Sequence, residues 1–491
     1  MRLIDLMKGN RALPYADAID ENLDIAGLTC DSRAVRPGFL FAALPSARAG
    51  ARVDGRDFIP SAVNQGAVAV LAPMGTEAPE SIHVPVIEDG NVRLRFALMA
   101  ANFFARQPEH VAAVTGTNGK TSTASFLRQI WQQLGYKAAS VGTLGVHGGG
   151  FDEPGQLTTP DPVALHETLA RLKDGGVDRL AMEASSHGLA QFRLDGVRVQ
   201  AAGFTNITRD HLDYHGSMEK YFAAKLRLFS DVVVGGGHAV INADSPQGRE
   251  VAAVAQKRGL KVLTFGRGGQ DIRVLKREAT PDGQSLSLRV GEQNFSVNVP
   301  LAGVFQVENV LCALGLAIAL GADVAPCVAA LEKLDGVPGR LQKAGTVSGA
   351  AVYVDYAHTP DALENVLEAL RPHTQNALHV LFGCGGDRDA GKRVQMGAIA
   401  ERLADRVIVT DDNPRSEDAS VIRAEIMKGC PNATNIGDRR EAILQAVRDL
   451  NTGDVLVLAG KGHEQGQIVG DEVLPFDDVI EAQRAIEEVG T

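Results

Sequence analysis

An apolar run, VAAVT at 111–115, leads directly into the glycine-rich segment TGTNGKTS at 115–122, and a stretch of helical periodicity follows at 121–134. A strand that turns sharply into a helix commits the chain to a crossover, because parallel strands cannot be joined by a tight hairpin. The feature therefore predicts an α/β fold. It also predicts an anion site, since backbone N–H groups converge where a helix begins and the helix dipole favours negative charge there. Lys120 would reach the β- and γ-phosphates of a nucleotide, and the Thr121 hydroxyl would ligate Mg2+. The spacing departs from GxxxxGK[ST], because Val114 stands five positions before Gly119. The GKT ending between an apolar strand and a helix nonetheless favours nucleotide phosphate over a simple turn.

Three domains are expected. Residues 1–98 hold short apolar runs at 39–44, 67–72 and 83–87, separated by turn residues such as GARVDGRD and APMGTEAPE, and read as a small α/β module. A helical stretch at 92–104 leads into residues 99–338, a P-loop ATPase-like domain with a mostly parallel sheet. Buried strands are expected there at 179–182, 201–207, 239–242 and 261–265, and helices at 307–320 and 324–331. LSLRV and FSVNV alternate with period two and predict a β-meander added to that sheet. VPGRLQ at 337–342 reads as a hinge. Residues 339–491 restart the strand–helix alternation with AVYVDYA, LHVLFGC, RVIVT and DVLVLAG, the pattern of a Rossmann-like doubly wound domain. Ligands in such sheets bind at the carboxyl ends of the strands, where DYAHTPD, GCGGDRD, DDNPR and GKGHE stand.

Composition narrows the function. Of 491 residues, 45% are hydrophobic and 22% charged, which excludes a mainly disordered chain. The net charge of −11 excludes a general nucleic-acid binder, which needs a basic surface. Five scattered cysteines without a CxxC pair suit a reducing cytoplasm. The opening MRLIDLMKGNRALPY lacks the apolar core of a signal peptide, and the stretch at 310–322 is too short to span a bilayer, so no membrane insertion is expected. A cytoplasmic monomer is the expectation.

Three further positions draw attention. Glu183 ends an apolar strand after the P-loop strand, the usual place of a metal-linked carboxylate. His211 and His215 lie in NITRDHLDYHG, where a lone histidine is more often structural than a ligand. Lys225, in the apolar helix YFAAKLRLF, reads on its own as a lysine that lays its stem on the core and its ammonium in water.

The segments GTNGKTS, EASSHGL, NITRDHLDYHG with YFAAKLRLF, GVFQVEN, PGR, DYAHTPDAL, GGDRD, DDNPR and GKGHE occur in that order. Together they resemble the Mur ligases, ATP-dependent amide-forming enzymes of peptidoglycan synthesis, and in particular the branch that adds meso-diaminopimelate to UDP-N-acetylmuramoyl-L-alanyl-D-glutamate. LTCDSRAVRPGFLFAAL is similar to that family's UDP-binding module, so the resemblance spans the chain.

The resemblance implies roles. Gly116, Thr117, Asn118, Gly119, Lys120, Thr121 and Ser122 would bind ATP together with Asn309, Arg340 and Asp355. Thr121, Glu183, His211 and Lys225 would serve two Mg2+ ions, with Lys225 carried as a CO2-derived carbamate. Lys120, Glu183, His211 and Lys225 would be the catalytic set. Cys30, Ser32, Thr158, Thr159, Ser185, Gln191 and Arg193 would hold the UDP-muramoyl-dipeptide. Arg388, Asp412, Asn413, Pro414, Arg415, Gly460 and Glu464 would hold diaminopimelate. Arg415 offers a planar fork suited to the carboxylate that distinguishes diaminopimelate from lysine.

Two departures from the family pattern stand out. Gln306 replaces an asparagine common among relatives, and PSARAGARVDG at 45–55 lacks the expected polar pair before its DG turn, so no UDP contact is assigned there. Competing readings are a lysine-adding ligase, a folylpolyglutamate-synthetase-like enzyme and a non-catalytic P-loop regulatory protein. The first is opposed by Arg415, the second by the N-terminal module, and the third by the joint presence of Lys120, Glu183, His211 and Lys225.

Overall fold

The computed structural model describes residues 1–8, 22–46, 54–77, 82–155, 157–280 and 283–490. Residues 9–15 of the opening stretch, 47–53 of the 45–55 segment and 78–80 of APMGTEAPE lie outside the described residues. The chain divides into two compact units, Met1–Arg273 with Asn309–Cys327, and Val274–Glu308 with Val328–Thr491.

The first unit opens with a four-stranded parallel sheet, Gly27–Thr29, Phe39–Ala42, Ala67–Pro73 and Val86–Asp89, in chain order. Alternate side chains of these strands face opposite ways, so one sheet feeds two cores. Leu40, Ala42 and Leu71 pack with Phe96 and Met99 of helix Val92–Phe104. Phe41, Ala43 and Val70 pack with Ile59 and Ala62 of helix Ile59–Asn64.

The unit's second sheet runs, in space, Lys261–Gly266, Val233–Asn242, Val199–Phe204, His110–Thr115, Arg179–Glu183, Ala138–Gly142, Gly145–Gly148 and Phe151–Pro154. Its strands are parallel up to Ala138–Gly142, and the last two run antiparallel as an edge hairpin. The strand of the glycine-rich loop lies inside the sheet, flanked on both sides, and all its residues after His110 are buried. Burial on both faces explains why it reads as a continuous apolar run rather than an alternation. The sheet's carboxyl ends carry Gly116, Glu183 and Thr205.

In the second unit, Gly283–Val290 and Gln293–Val299 pair antiparallel, as their period-two pattern predicts. A six-stranded sheet follows, in the spatial order Gln342–Val347, Ala350–Asp355, Val455–Ala459, Leu378–Phe382, Arg406–Val409 and Thr434–Asn435. Only the first strand is antiparallel. Val380, Phe382, Val409 and Val457 face one layer of helices, while Leu381, Ile408, Leu456 and Leu458 face Ala442, Ile443 and Ala482 on the other. Such double covering makes this a doubly wound domain. Because the last parallel strand inserts between the first and second, the order of connection reverses there, and the loops after Asp355, Phe382 and Ala459 open around one crevice.

The three-part α/β architecture is the one expected. The sequence reading missed the edge hairpin Gly145–Pro154, the helix Arg439–Arg448 and the hairpin Gly466–Val469 with Glu472–Pro475. The strand Gln342–Val347 begins inside the segment read as a hinge.

Candidate active site

In the first unit, the loop after His110–Thr115 is held from two sides. Thr117 N–H donates to Asn206 O at 2.9 Å and Asn118 N–H to Asn206 Oδ1 at 3.0 Å. Thr205 Oγ1 donates to Asn118 O at 2.6 Å. Two glycines are required by close approach. A Cβ at Gly116 would fall 1.9 Å from Thr205 Oγ1, and one at Gly119, where φ is +86°, would fall 2.1 Å from Asn309 Oδ1. Asn309 therefore touches the loop directly. Gly119 caps helix Lys120–Gln133, and Lys120 Nζ folds over the loop onto Gly116 O at 2.9 Å and Thr117 O at 2.8 Å. Ser122 is buried in the helix's first turn.

Glu183 is buried at the end of its strand, where Thr121 Oγ1 donates to its Oε2 at 3.1 Å. Thr143, which the sequence reading did not single out, donates through N–H to Oε1 at 2.8 Å and through Oγ1 to Oε2 at 3.2 Å. Thr143 Oγ1 also meets Thr158 Oγ1 at 3.0 Å, and Thr159 Oγ1 donates to Glu183 O at 3.0 Å.

Lys225 does not reach solvent, contrary to what its helix alone suggests. Only 1% of the residue is exposed, and its Nζ donates to Gly116 O at 2.7 Å and sits 4.5 Å from the Tyr221 ring centre. Burial, then the charge of Lys120, hold its ammonium well below the usual lysine range. A neutral buried amine is the chemical state that captures CO2, and carboxylate and hydroxyl oxygens are the donors Mg2+ takes. Thr121, Glu183 and Lys225 thus fit those groups. His211 sits at the rim, half-exposed, in a left-handed conformation with φ +50°, its Nε2 3.3 Å from Asp210 Oδ2. Its ring centre lies 4.7 Å from His187, which also contacts Tyr214 and His215. Burial, then the neighbouring His187, His211 and Lys225, push His215 down to about 4, and its Nε2 lies 3.1 Å from Ser186 Oγ. Among the described residues, no three His, Cys, Asp or Glu side chains form a metal cluster.

The residues expected to hold the nucleotide-sugar peptide converge in the same unit. Arg193 donates to Thr159 O at 2.8 Å and Gln191 Oε1 at 2.9 Å, and Gln191 Nε2 donates to Tyr214 OH at 3.0 Å. Ser185 caps helix Ser186–Ala190. Arg193 is held below the usual arginine range first by burial, with the Asp161 carboxylate pulling the other way and the Arg93 guanidinium adding to the lowering. Ser32 begins a short helix two residues after Cys30. Arg93, unremarked in the sequence, joins the group.

In the second unit, the Asp355 carboxylate accepts Leu341 N–H at 2.7 Å and Ala357 N–H at 2.8 Å, tying the PGR turn to the DYAH loop. Burial pushes it up to about 6 against the opposing pull of Arg340. Arg340 lies over the Tyr356 ring at 5.0 Å, and its carbonyl accepts Gln306 Nε2 at 3.1 Å.

The DDNPR loop is fixed by its neighbours. Arg415 has φ +53°, a strained value for a non-glycine residue, and is held there by its N–H on Ile468 O at 3.1 Å and by Gly470 N–H on its own carbonyl at 2.8 Å. Its Nη1 donates to Gly386 O at 2.8 Å. Gly386 N–H donates to Asn413 O at 2.9 Å, and a Cβ at Gly386 would fall 1.9 Å from Pro414 O. Asp412 and Asn413 are buried, and Asn413 Nδ2 donates to Glu464 Oε2 at 2.8 Å. A Cβ at Gly460 would meet Asp412 Oδ2 at 2.7 Å. Arg388 is exposed. Behind the loops, fully buried Arg439 pairs with Asp478 at 2.7 Å and reaches Ala459 O at 3.1 Å.

A glycine-rich loop with a carboxylate and a buried lysine stands in one unit, and a crevice of arginine and acids in the other. The chain matches the Mur ligase catalytic domain over 24–114, the Mur ligase middle domain over 114–317 and the Mur ligase glutamate ligase domain over 339–462, and it belongs to the Mur ligase family. It is 55% identical to the UDP-N-acetylmuramoyl-L-alanyl-D-glutamate--2,6-diaminopimelate ligase of Caulobacter vibrioides over 95% of this chain and 96% of the relative. The protein of that name from Mesorhizobium japonicum is 51% identical over 99% of each chain. A solved structure of a ligase of the same name has 35% identity and a TM-score of 0.74, with 96% of this chain and 97% of the other covered.

Proposed function

We propose that this chain uses ATP to join meso-diaminopimelate to the D-glutamyl side-chain carboxylate of UDP-N-acetylmuramoyl-L-alanyl-D-glutamate, in peptidoglycan precursor synthesis. It is an ATP-dependent acid–amino-acid ligase. The observation that carries the reading is the Asp412–Arg415 loop, whose strained, multiply tethered backbone carries Arg415 on the same turn as Asp412 and Asn413, with Asn413 tied to Glu464. A lysine substrate would leave that guanidinium without its carboxylate, and an unpaired charged donor is costly. The acids would hold the ammonium next to that carboxylate.

The D-glutamyl carboxylate attacks the γ-phosphorus of ATP, ADP leaves, and an acyl phosphate results. The amine of diaminopimelate, having lost its proton, attacks the acyl carbon, and the tetrahedral adduct expels phosphate to leave the amide. No covalent enzyme nucleophile is needed, so the protein's work is positioning and charge stabilisation. Lys120 and the N–H groups of 116–122 would hold the phosphates, and Asn309, Arg340 and Asp355 are assigned to the nucleotide in the same reading. Thr121, Glu183, His211 and the Lys225 carbamate would hold two Mg2+ ions, which supply charge neutralisation on the phosphoryl oxygens. Thr158, Thr159, Ser185, Gln191 and Arg193 hold the peptide portion, and Cys30 and Ser32 lie on the uridine side. Arg388, Pro414 and Gly460 complete the amino-acid site.

The division into domains at 1–98, 99–338 and 339–491 is part of this reading, as are a monomeric state and a cytoplasmic setting, where ATP and nucleotide sugars are found. Among the described residues, no helix is long and apolar enough to cross a membrane.

The test is an amino-acid panel. With ATP, Mg2+ and the UDP-muramoyl-dipeptide present, phosphate release should depend on meso-diaminopimelate and be far weaker with lysine. Equal rates with both, or release independent of the dipeptide, would contradict it.

A further inference from the structure

One buried cation in the second unit has no part in the scheme above. The Lys461 side chain is wholly removed from solvent, and its Nζ donates to Asn413 Oδ1 at 3.1 Å and lies 3.4 Å from Glu464 Oε2. Asn413 Nδ2 donates to the same Glu464 oxygen at 2.8 Å, closing a triangle between the DDNPR and GKGHE loops. An ammonium taken out of water is costly unless paired, so each side of this triangle depends on the others.

The arrangement also fixes orientation. Asn413 Oδ1 accepts Ile468 N–H at 2.9 Å as well as Lys461, so the amide cannot flip without setting its NH2 against two donors. Glu464 Oε2 carries two donors, whereas Oε1 takes no hydrogen bond from the described residues. The backbone on either side of Lys461 is closely packed. Cβ atoms at the flanking Gly460 and Gly462 would meet Asp412 Oδ2 and Tyr356 Cβ, each at 2.7 Å.

We infer that Lys461 is a positioning residue for the amino-acid substrate: it locks Asn413 and Glu464 together so that Glu464 offers its second oxygen to the substrate's ammonium. The inference rests on the reading of this crevice as the diaminopimelate site and goes one step further, to what holds that site in shape.

Lys461→Met keeps volume and removes the charge. In steady-state kinetics with each substrate varied in turn, the KM for diaminopimelate should rise by about 10- to 100-fold, the worth of a charge-assisted hydrogen bond, while those for ATP and the UDP-dipeptide stay unchanged. Added to Glu464→Gln, the same substitution should cost little more, because its partner is already neutral. A rise in all three KM values alike, a fall in kcat alone, or effects of the two substitutions that simply multiply would overturn the proposal. If Lys461→Met does not fold, Lys461→Gln, which keeps a donor for Asn413, should still raise the KM for diaminopimelate selectively, and an unselective effect counts against it. A wild-type protein without diaminopimelate-dependent phosphate release defeats the site assignment itself. An active wild type beside an unaffected variant defeats only the role of Lys461.

Discussion

Replacing Lys225 with alanine is expected to lower kcat by about 10²- to 10³-fold, the scale on which loss of one preorganised electrostatic group acts, and a short carboxylic acid or bicarbonate should restore part of the activity. The expectation follows from where the side chain ends. An unmodified Lys225 ammonium would be buried beside Gly116 O with the charge of Lys120 opposing it, an arrangement that favours loss of the proton. The neutral amine can then add CO2 and release a proton, which turns a repelled cation into an anion that Lys120 attracts. Alanine removes the amine and leaves space in which a small carboxylate can take the same place. The check is kcat at saturating substrates, with and without added acid, alongside a thermal melt to establish folding. A fully active Lys225→Ala protein would remove the carbamate from the mechanism.

Arg415→Ala should raise the KM for diaminopimelate by about 10- to 100-fold, again the range of a charge-assisted bond, and leave the KM for ATP near its original value. Arg415 spends one nitrogen on Gly386 O and is the residue of the loop whose fork matches a carboxylate. Arg415→Lys should recover little, because a point charge does not reproduce two parallel donors. Preference for diaminopimelate over lysine should fall together with affinity. Equal changes in the KM values of both substrates would contradict the assignment.

What could be seen in the sequence was whatever is local. The strand His110–Thr115, its glycine loop and the helix at Lys120 are one continuous segment whose apolar run and turn residues declare themselves. The same holds for the four βα steps of the last domain. The edge hairpin Gly145–Pro154 was missed because GVHGGGFDEP has no apolar run, its stability coming from pairing with Ala138–Gly142. Lys225 shows the limit most clearly. Its helix gives no sign that the ammonium turns inward, because Gly116, 109 residues earlier, supplies the acceptor. The resemblance, not the periodicity, pointed to it. Thr143, Arg93 and Lys461 were overlooked for the same reason: each gains its meaning from a partner distant in the chain or from a loop whose shape no spacing encodes. GKGHE offered one signal that went unused, a lysine between two glycines, where freedom from side-chain bulk lets a cation be enclosed.

The account depends on the substrate's own carboxylate becoming the phosphorylated group. Both oxygens of the D-glutamyl side-chain carboxylate can be labelled with oxygen-18 and the phosphate released during amide formation weighed by mass spectrometry. One labelled oxygen in each phosphate is the expected result, with the other retained in the amide. Unlabelled phosphate would mean that the carboxylate never attacked ATP, and the mechanism would not stand.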